Sequence, residues 1–559
     1  MPDVQGSEFV PLSMEQELFY AERLAAPRRK ASIVRGLDIR GPLDVDLLLS
    51  SLAAVTARHE GLRVRIAHSV DGEPQQRILG VGEEPSPISC VEVRCNSRQQ
   101  FEAYARAVAR RDMQERWNPV VDPLYRLRLL RMSDDENILI STFDHLAFDE
   151  QAVNIFERDL WRAYAGAGDS VAGDPGPSLR RCVLRQRERY GDRARTVNEP
   201  YWVRKYASAP PVFQLSGHRH TGFYAEGKRR MISYRPDAGM TRELRSACLV
   251  LNCSLFELSV ALFGYLIFGI TMQDRISIYI PIDSREAAEK EVIGMFAGIR
   301  LLVLSRPGAG GLRTVLDQVR HEVMRAMAYR HVDGQTETAA MSGAYSRWNL
   351  APRRQLIVNY FRGDAGAASE REASGLHMTS VRYAPAATGP APYLGLYIDD
   401  AGDQLTVSLY HSADYFGDED SSQLLRKFDK QLLQVVSAEG FAAPKTAQPL
   451  AGVPRGAPGL SPLRDSDGTV CLHADLAEVR AALLSQPAVS DVRVQVTPGE
   501  DGGDEVTASV ISTESLTSTA LRDVCLAWPQ ATQYMVPPTT GNGGPNVTRA
   551  PVDVNGVTA

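Results

Sequence analysis

The sequence predicts an α/β protein built of several domains, on three observations. At 559 residues the chain is too long for one ordinary core. Apolar runs of strand length alternate with longer segments of helical periodicity, in mixed order. Hydrophobic residues make up 44% and charged residues 23%, the balance of a globular protein.

Taken in order, Ser13 is placed to cap a first helix, with Gln16 three residues on. A strand is expected at 33–39. Gly41-Pro42-Leu43-Asp44 then turns the chain into an amphipathic helix over 44–59. A short strand at 63–66, a helix at 97–113 and a strand at 124–132 lead to an apolar strand at 137–143. The stretch 169–177, with its Gly, Pro, Ser and Asp, marks a boundary, so a first lobe is set at 8–178. A second lobe, 179–440, carries an apolar helix at 254–270, strands at 276–281, 299–304, 355–360, 393–399 and 405–410, and helices at 312–329 and 421–436. Residues 441–467, rich in Ala, Pro, Gly and Ser, have the composition of a linker. A small α+β unit, 468–559, follows, with helices at 474–486 and 518–528 and strands at 491–496 and 505–512.

Several function classes are disfavoured at once. Net charge is −6 with both signs spread along the chain, so no nucleic-acid surface is expected. The seven cysteines (90, 95, 182, 248, 253, 471, 525) lack zinc-ligand spacing and read as thiols of a reducing cytoplasm. The histidines form no cluster with Cys, Asp or Glu, so no metal is expected. The N-terminus has neither the basic nor the apolar region of a signal peptide. The apolar segment 249–270 contains Asn252 and Glu257, and Ser254-Leu255-Phe256-Glu257 has the form of a capping box. A helix starting there leaves about 16 residues, short of the ~20 that span a bilayer, so a buried core helix is expected.

The most informative stretch is Phe143-Asp144-His145-Leu146-Ala147-Phe148-Asp149-Glu150. It joins the apolar strand to a segment of helical periodicity, 151–161. A His with an Asp four residues on, at such a corner, can aim an imidazole into a cleft while the carboxylate fixes the backbone behind it. The stretch resembles the His-His-x-x-x-Asp-Gly signature of the condensation domains of nonribosomal peptide synthetases. His145 and Asp149 match the second His and the Asp. Asp144 stands where the first His would be, and Glu150 where the Gly would be.

Other blocks carry the same resemblance in the family's order. Pro11-Leu12-Ser13-x-x-Gln16 is similar to its first block. Arg40-Gly41-Pro42-Leu43-Asp44 with Ala57-Arg58-His59-Glu60-Gly61-Leu62-Arg63 is similar to its second. Ile280-Pro281-Ile282-Asp283-Ser284-Arg285, Ile293-Gly294-Met295-Phe296 and Tyr410-His411-Ser412-Ala413-Asp414-Tyr415-Phe416 resemble later ones. The resemblance implies two chloramphenicol-acetyltransferase-like lobes in a V-shaped pseudo-dimer. A tunnel would run between them, with carrier proteins docking at its two ends. It implies a condensation enzyme of a natural-product pathway, an acyltransferase joining a carrier-bound thioester donor to an amine acceptor. No cofactor is bound by the chain itself; the substrates ride on the phosphopantetheine of separate carrier proteins, or the acceptor is a free amine. Neither nucleic acid nor a membrane is expected as a partner.

In that setting His145 would take a proton from the acceptor or position it, the alternative being a satisfied core histidine. Asp149 would pair with Arg285, since a buried carboxylate left unpaired is costly. Asp144 would raise the His145 pKa or hydrogen-bond nearby backbone. Glu150 replaces a residue whose missing side chain lets backbone approach the reacting carbonyl. It would narrow the tunnel, place a carboxylate in it, or turn outward. Asn359 and Tyr360 are candidates to line the acceptor side, with strand packing the equal alternative. Two other readings stand. One is a non-catalytic platform that recruits carrier or tailoring proteins. The other is a heterocyclization-type or ester-forming variant: Asp144-x4-Asp149 fits the Asp-x4-Asp of cyclising relatives, but Ala152 stands where their Ser would be.

The third unit has its own resemblance. Leu476-Ala477-Glu478-Val479-Arg480, Leu483-Leu484, Pro487-Ala488-Val489 and Asp491-Val492 are similar to the C-terminal subdomain of adenylation enzymes, as are Tyr534-Met535-Val536-Pro537 and Asn555-Gly556. Val557 stands where that family carries its catalytic Lys, and no Lys occurs from 446 to 559. A remnant or docking module, unable to adenylate, is expected.

Overall fold

The computed structural model describes residues 9–25, 32–167, 177–214, 229–348, 354–362, 370–436, 459–528 and 537–542, save 84, 116, 192–193, 309, 374, 382, 384–393, 403, 414–416, 501, 515 and 539. Two six-stranded sheets organise it. The first runs Glu370–Ala373, Leu376–Val381, Ser32–Arg40, Glu136–Asp144, Tyr125–Arg131, Ile88–Glu92. The second runs Ala297–Ser305, Arg275–Asp283, Leu356–Arg362, Leu394–Asp400, Leu405–Ser412, Arg229–Tyr234. Each is mixed, with parallel and antiparallel neighbours.

Glu136–Asp144 lies near the middle of the first sheet because its continuous apolar run suits a strand covered on both faces. On one face the helix Arg98–Gln114 lays Phe101, Ala105, Val108 and Met113 against Ile138 and Ile140. On the other, Val45–Arg58 and Glu150–Arg162 share a core with Phe143, Tyr125 and Leu129. The second sheet is backed by Ala238–Leu251, Leu255–Phe268, Gly311–Ala328 and Asp418–Val436. Leu255–Phe268 opens with a true capping box, Ser254 with Glu257, and twelve of its residues are buried. Among the described residues no single helix is long and apolar enough to cross a membrane; this helix and its neighbour pass only as a pair bent by 92°.

Two boundaries differ from those expected. The hairpin 370–381 belongs by sequence to the second lobe, 179–440, yet Leu376–Val381 pairs with Ser32–Arg40 and extends the first sheet. Gly36 permits this, since a Cβ there would come within 2.5 Å of the Tyr383 ring. The expected linker 441–467 also ends early. Leu460–Arg464 pairs with Val470–Asp475, and this hairpin buries Leu463, Cys471, Leu472 and Ala474 in the second lobe's core. Gln273 Nε2 donates to the Cys471 carbonyl, Gln214 Nε2 donates to the His473 carbonyl at 2.9 Å, and the Gln214 side-chain oxygen accepts from the His473 N–H at 2.6 Å. Burial and pairing outweigh the loop-like composition. Beyond it, Leu476–Leu484 and Ser518–Ala527 pack on Val489–Pro498 and Asp504–Ser512 around a small core of their own. Tyr534 to Val536, Asn555, Gly556 and Val557 lie outside the described residues.

Candidate active site at a strand-to-helix corner

The corner is made by backbone first. Asp144 ends its strand, its N–H bonded to the Leu124 carbonyl at 2.8 Å. Its own carbonyl accepts from Ala147 and Phe148, which tightens the chain into a turn with His145 at its start. Asp149 then caps the helix Glu150–Arg162, its Oδ1 accepting from the Ala152 N–H at 2.8 Å. The Phe148 and Phe156 rings pack on that of Phe143 at 5.0 and 5.4 Å, so the turn sits on a rigid aromatic base.

His145 is half-buried. Its ring lies 4.9 Å from that of Phe19, on the helix Met14–Ala25. Nδ1 is buried, and backbone groups of His145 itself and of Phe148 lie within hydrogen-bonding reach of the ring. Burial pushes the imidazole below the ordinary histidine pKa, while the charges of Asp149 and Asp144 oppose that shift. A neutral ring at neutral pH can accept a proton.

Asp149 and Arg285 are both buried and form a two-pronged pair. Nη1 donates to Oδ2 at 2.7 Å and Nη2 to Oδ1 at 3.0 Å. The Phe296 N–H also donates to Oδ2, at 2.9 Å. Arg285 spends its remaining donors on the Val292 and Gly294 carbonyls and on Asp283. The pair ties the His motif of the first lobe to the end of the strand Arg275–Asp283 in the second.

Distant blocks of sequence converge on the same place. Ser13 donates to the Met295 carbonyl at 2.6 Å and exchanges capping bonds with Gln16. Gly61 sits where a Cβ would come within 2.1 Å of the Ile293 carbonyl oxygen, so only glycine fits. His59 holds buried Asp159 at 2.9 Å. Residues 414–416 of the late block lie outside the described residues.

The two departures from the family motif each meet an arginine. Arg23 Nη1 donates to Asp144 Oδ2 at 2.7 Å, while Oδ1 accepts from the Leu146 N–H at 3.0 Å. Arg35 pairs with Glu150. Neither arginine is singled out by sequence: both lie more than 100 residues upstream of their partners, and neither belongs to a family block. The register that sets Ser32 opposite Asp144 and Arg35 opposite Ser141 brings the second one in.

Asn359 and Tyr360 do not act together. They are successive residues of Leu356–Arg362 and therefore point to opposite faces. Tyr360 packs against Phe256 and donates to Asp400, which also holds Arg245. It belongs to the helix-covered side, and burial raises its hydroxyl pKa. Asn359 stands opposite Tyr397 in register, on the half-open face where Phe361, Tyr397 and Tyr410 contact one another. Among the described residues no group of His, Cys, Asp and Glu could hold a metal ion.

Comparison with known proteins accounts for this arrangement. The condensation-domain family model matches residues 7–439. The chain is 28% identical to phosphinothricin tripeptide synthetase PhsC of Streptomyces viridochromogenes over 335 residues, 58% of this chain and 30% of that one. It is 24% identical to the isonitrile lipopeptide synthase of Mycobacterium tuberculosis over 327 residues, 57% of this chain and 13% of that one. The chain therefore spans less than a third of the length of these relatives. In fold it is similar to the first condensation domain of the calcium-dependent antibiotic synthetase (TM-score 0.65, 17% identity, 79% of this chain and 98% of that one). It is also similar to the X-domain from teicoplanin biosynthesis (TM-score 0.62, 19% identity, 81% and 99%). With its two chloramphenicol-acetyltransferase-like lobes, this chain belongs to the condensation-domain family.

Proposed function

We propose that the chain joins a carrier-bound acyl thioester to an amine acceptor. The observation that carries this is His145: its ring packs on Phe19 at the start of a turn locked by the Asp149–Arg285 pair. The acceptor nitrogen attacks the thioester carbonyl and a C–N bond forms. The His145 ring takes the proton that the nitrogen sheds. The C–S bond breaks, and the proton passes to the leaving thiolate of the donor's phosphopantetheine. Holding two reactants in line supplies much of the acceleration of a step whose donor is already activated. Asp149 and Arg285 act on the corner that carries His145, and Asn359 is kept as a lining residue of the acceptor side. Carriers bring the substrates from separate chains or segments, and the third unit serves as a docking module.

The test is intact-mass analysis of loaded carriers mixed with the protein. Product forms with wild type, and His145→Ala slows it by about 10²–10⁴-fold. An unchanged rate in that variant would remove the catalytic role. A product lighter by one further water marks the cyclising reading.

A second reading is favoured by the two acidic departures, Asp144 and Glu150: a platform that recruits carriers or tailoring enzymes. The X-domain of teicoplanin biosynthesis shares this fold, and it has been solved in complex with OxyB. Carrier binding without any product from wild type would establish that reading instead.

A further inference from the structure

The proposed condensation needs free space beside His145, and this chain has put a carboxylate five residues away on the same corner. Glu150 is the first residue of the motif helix, directly after the Asp149 cap, where the family pattern has a residue with no side chain. A free glutamate there has two courses. It can reach toward the imidazole, where an imidazolium would attract it, or it can be taken up by a cation elsewhere. The structure has the second: the carboxylate is paired with Arg35, from the strand next to the motif strand. Both side chains are partly buried, Arg35 17% and Glu150 27% exposed, so the pair is shielded yet not sealed into a core. The groups that bear on His145 are Asp149 and Asp144, and both are engaged by arginines of their own, Arg285 and Arg23. Glu150 is not among them.

We propose that Arg35 is a positioning residue that holds the Glu150 carboxylate clear of His145 in the altered motif. The inference rests on the condensation reading for its activity readout and on geometry for the rest. Arg35 touches no reacting atom; it acts through Glu150. A residue that spoils the motif at position 150 is thus matched by one at position 35.

The test is a double-variant cycle on the full chain. Arg35→Ala releases the carboxylate toward the acceptor's place beside His145 and lowers product formation by about tenfold through lost positioning, a tenfold step being ~1.4 kcal/mol of barrier. Glu150→Gly makes that change silent: Arg35→Ala with Glu150→Gly turns over at the Glu150→Gly rate. Arg35→Lys keeps a cation in place and recovers most of the loss. Independently of any product, nuclear magnetic resonance titration of isotope-labelled histidine, with His145→Ala identifying the signal, follows the ring itself. Its pKa rises by about one unit in Arg35→Ala and returns in the double variant. Equal losses for Arg35→Ala in both backgrounds, or a His145 titration that ignores Arg35, would overturn the proposal. A wild type without product while the titration cycle behaves as described would sink the condensation reading and leave the positioning role standing.

Discussion

Two carboxylates are buried where the lobes meet, and they are held in opposite ways. Asp149 receives two guanidinium bonds from Arg285 and two backbone N–H bonds, from Ala152 and Phe296. Glu15, on the first helix, accepts a bond from the Gln186 amide at 2.7 Å, and its nearest guanidinium, on Arg300, stands 4.0 Å away. Burial raises the Glu15 pKa, against the opposing charge of Arg300 and its hydrogen bonds. The lesson is that depth alone does not decide how a buried acid is held; the number and aim of its donors do. Asp149 is built as a fixed fastening between lobes. Glu15 is a buried group with a reason to hold its proton.

The strongest way to break this contrast is to take away the fastening's cation. Arg285→Ala leaves Asp149 buried with only its two backbone donors, and the loss is expected at about 3–5 kcal/mol of unfolding free energy. Urea unfolding measures it, and product formation should disappear with the corner that carries His145. If Arg285→Ala unfolds at the wild-type midpoint, the pair is not what joins the lobes.

Arg23→Ala probes an intermediate case. Asp144 is buried and keeps its bond from the Leu146 N–H, but it loses its only side-chain partner among the described residues. Arg23 is itself 28% exposed, so water can replace part of what is removed. The expected cost is about 1–3 kcal/mol, the range for a buried acceptor left short of a donor. A loss equal to that of Arg285→Ala would erase the distinction between the sealed pair and the half-open one.

This ranking also explains what the sequence made legible. The corner was legible because its pieces are local: an apolar run, a turn, a capping Asp and a helix lie within about 25 residues of one another. Arg285 was reachable through a block pattern that travels with the motif. Arg23 and Arg35 were not, because their role depends on a sheet register and on the docking of the first helix against the second lobe, where Leu18 backbone atoms lie 2.9 Å from the place of a Cβ on Gly334. Between cleft lining and strand packing the sequence left Tyr360 open for a related reason: strand parity sets which of two neighbours faces a cleft, and the parity is fixed by the sheet rather than by the residue. The hairpins at 370–381 and 460–475 were not read from the sequence at all, and even a strand that is read does not name its partner strand. Composition predicted a linker where Leu463 is buried, since Pro and Gly around a short hairpin dominate the average.

The smallest effect sharpens the contrast from the Glu15 side. A group whose native pKa lies above its unfolded value gives stability that is complete below the ordinary glutamate pKa and is lost as pH rises through the native one. Glu15 is such a group. Glu15→Gln keeps the shape and an oxygen for the Gln186 amide, but it carries no proton to lose. Its unfolding free energy should therefore match that of wild type near pH 4 and exceed it increasingly as pH rises, levelling once wild-type Glu15 is ionised. The reverse trend is expected if Arg300, at 4.0 Å, already serves Glu15 as Arg285 serves Asp149: the substitution would then destabilise most at neutral pH, where an ion pair is lost. Urea midpoints for the two proteins across pH 4 to 8 separate these cases by sign alone. Parallel curves would mean that Glu15 binds its proton equally in both states, and that its burial has no electrostatic consequence for the seam between the lobes.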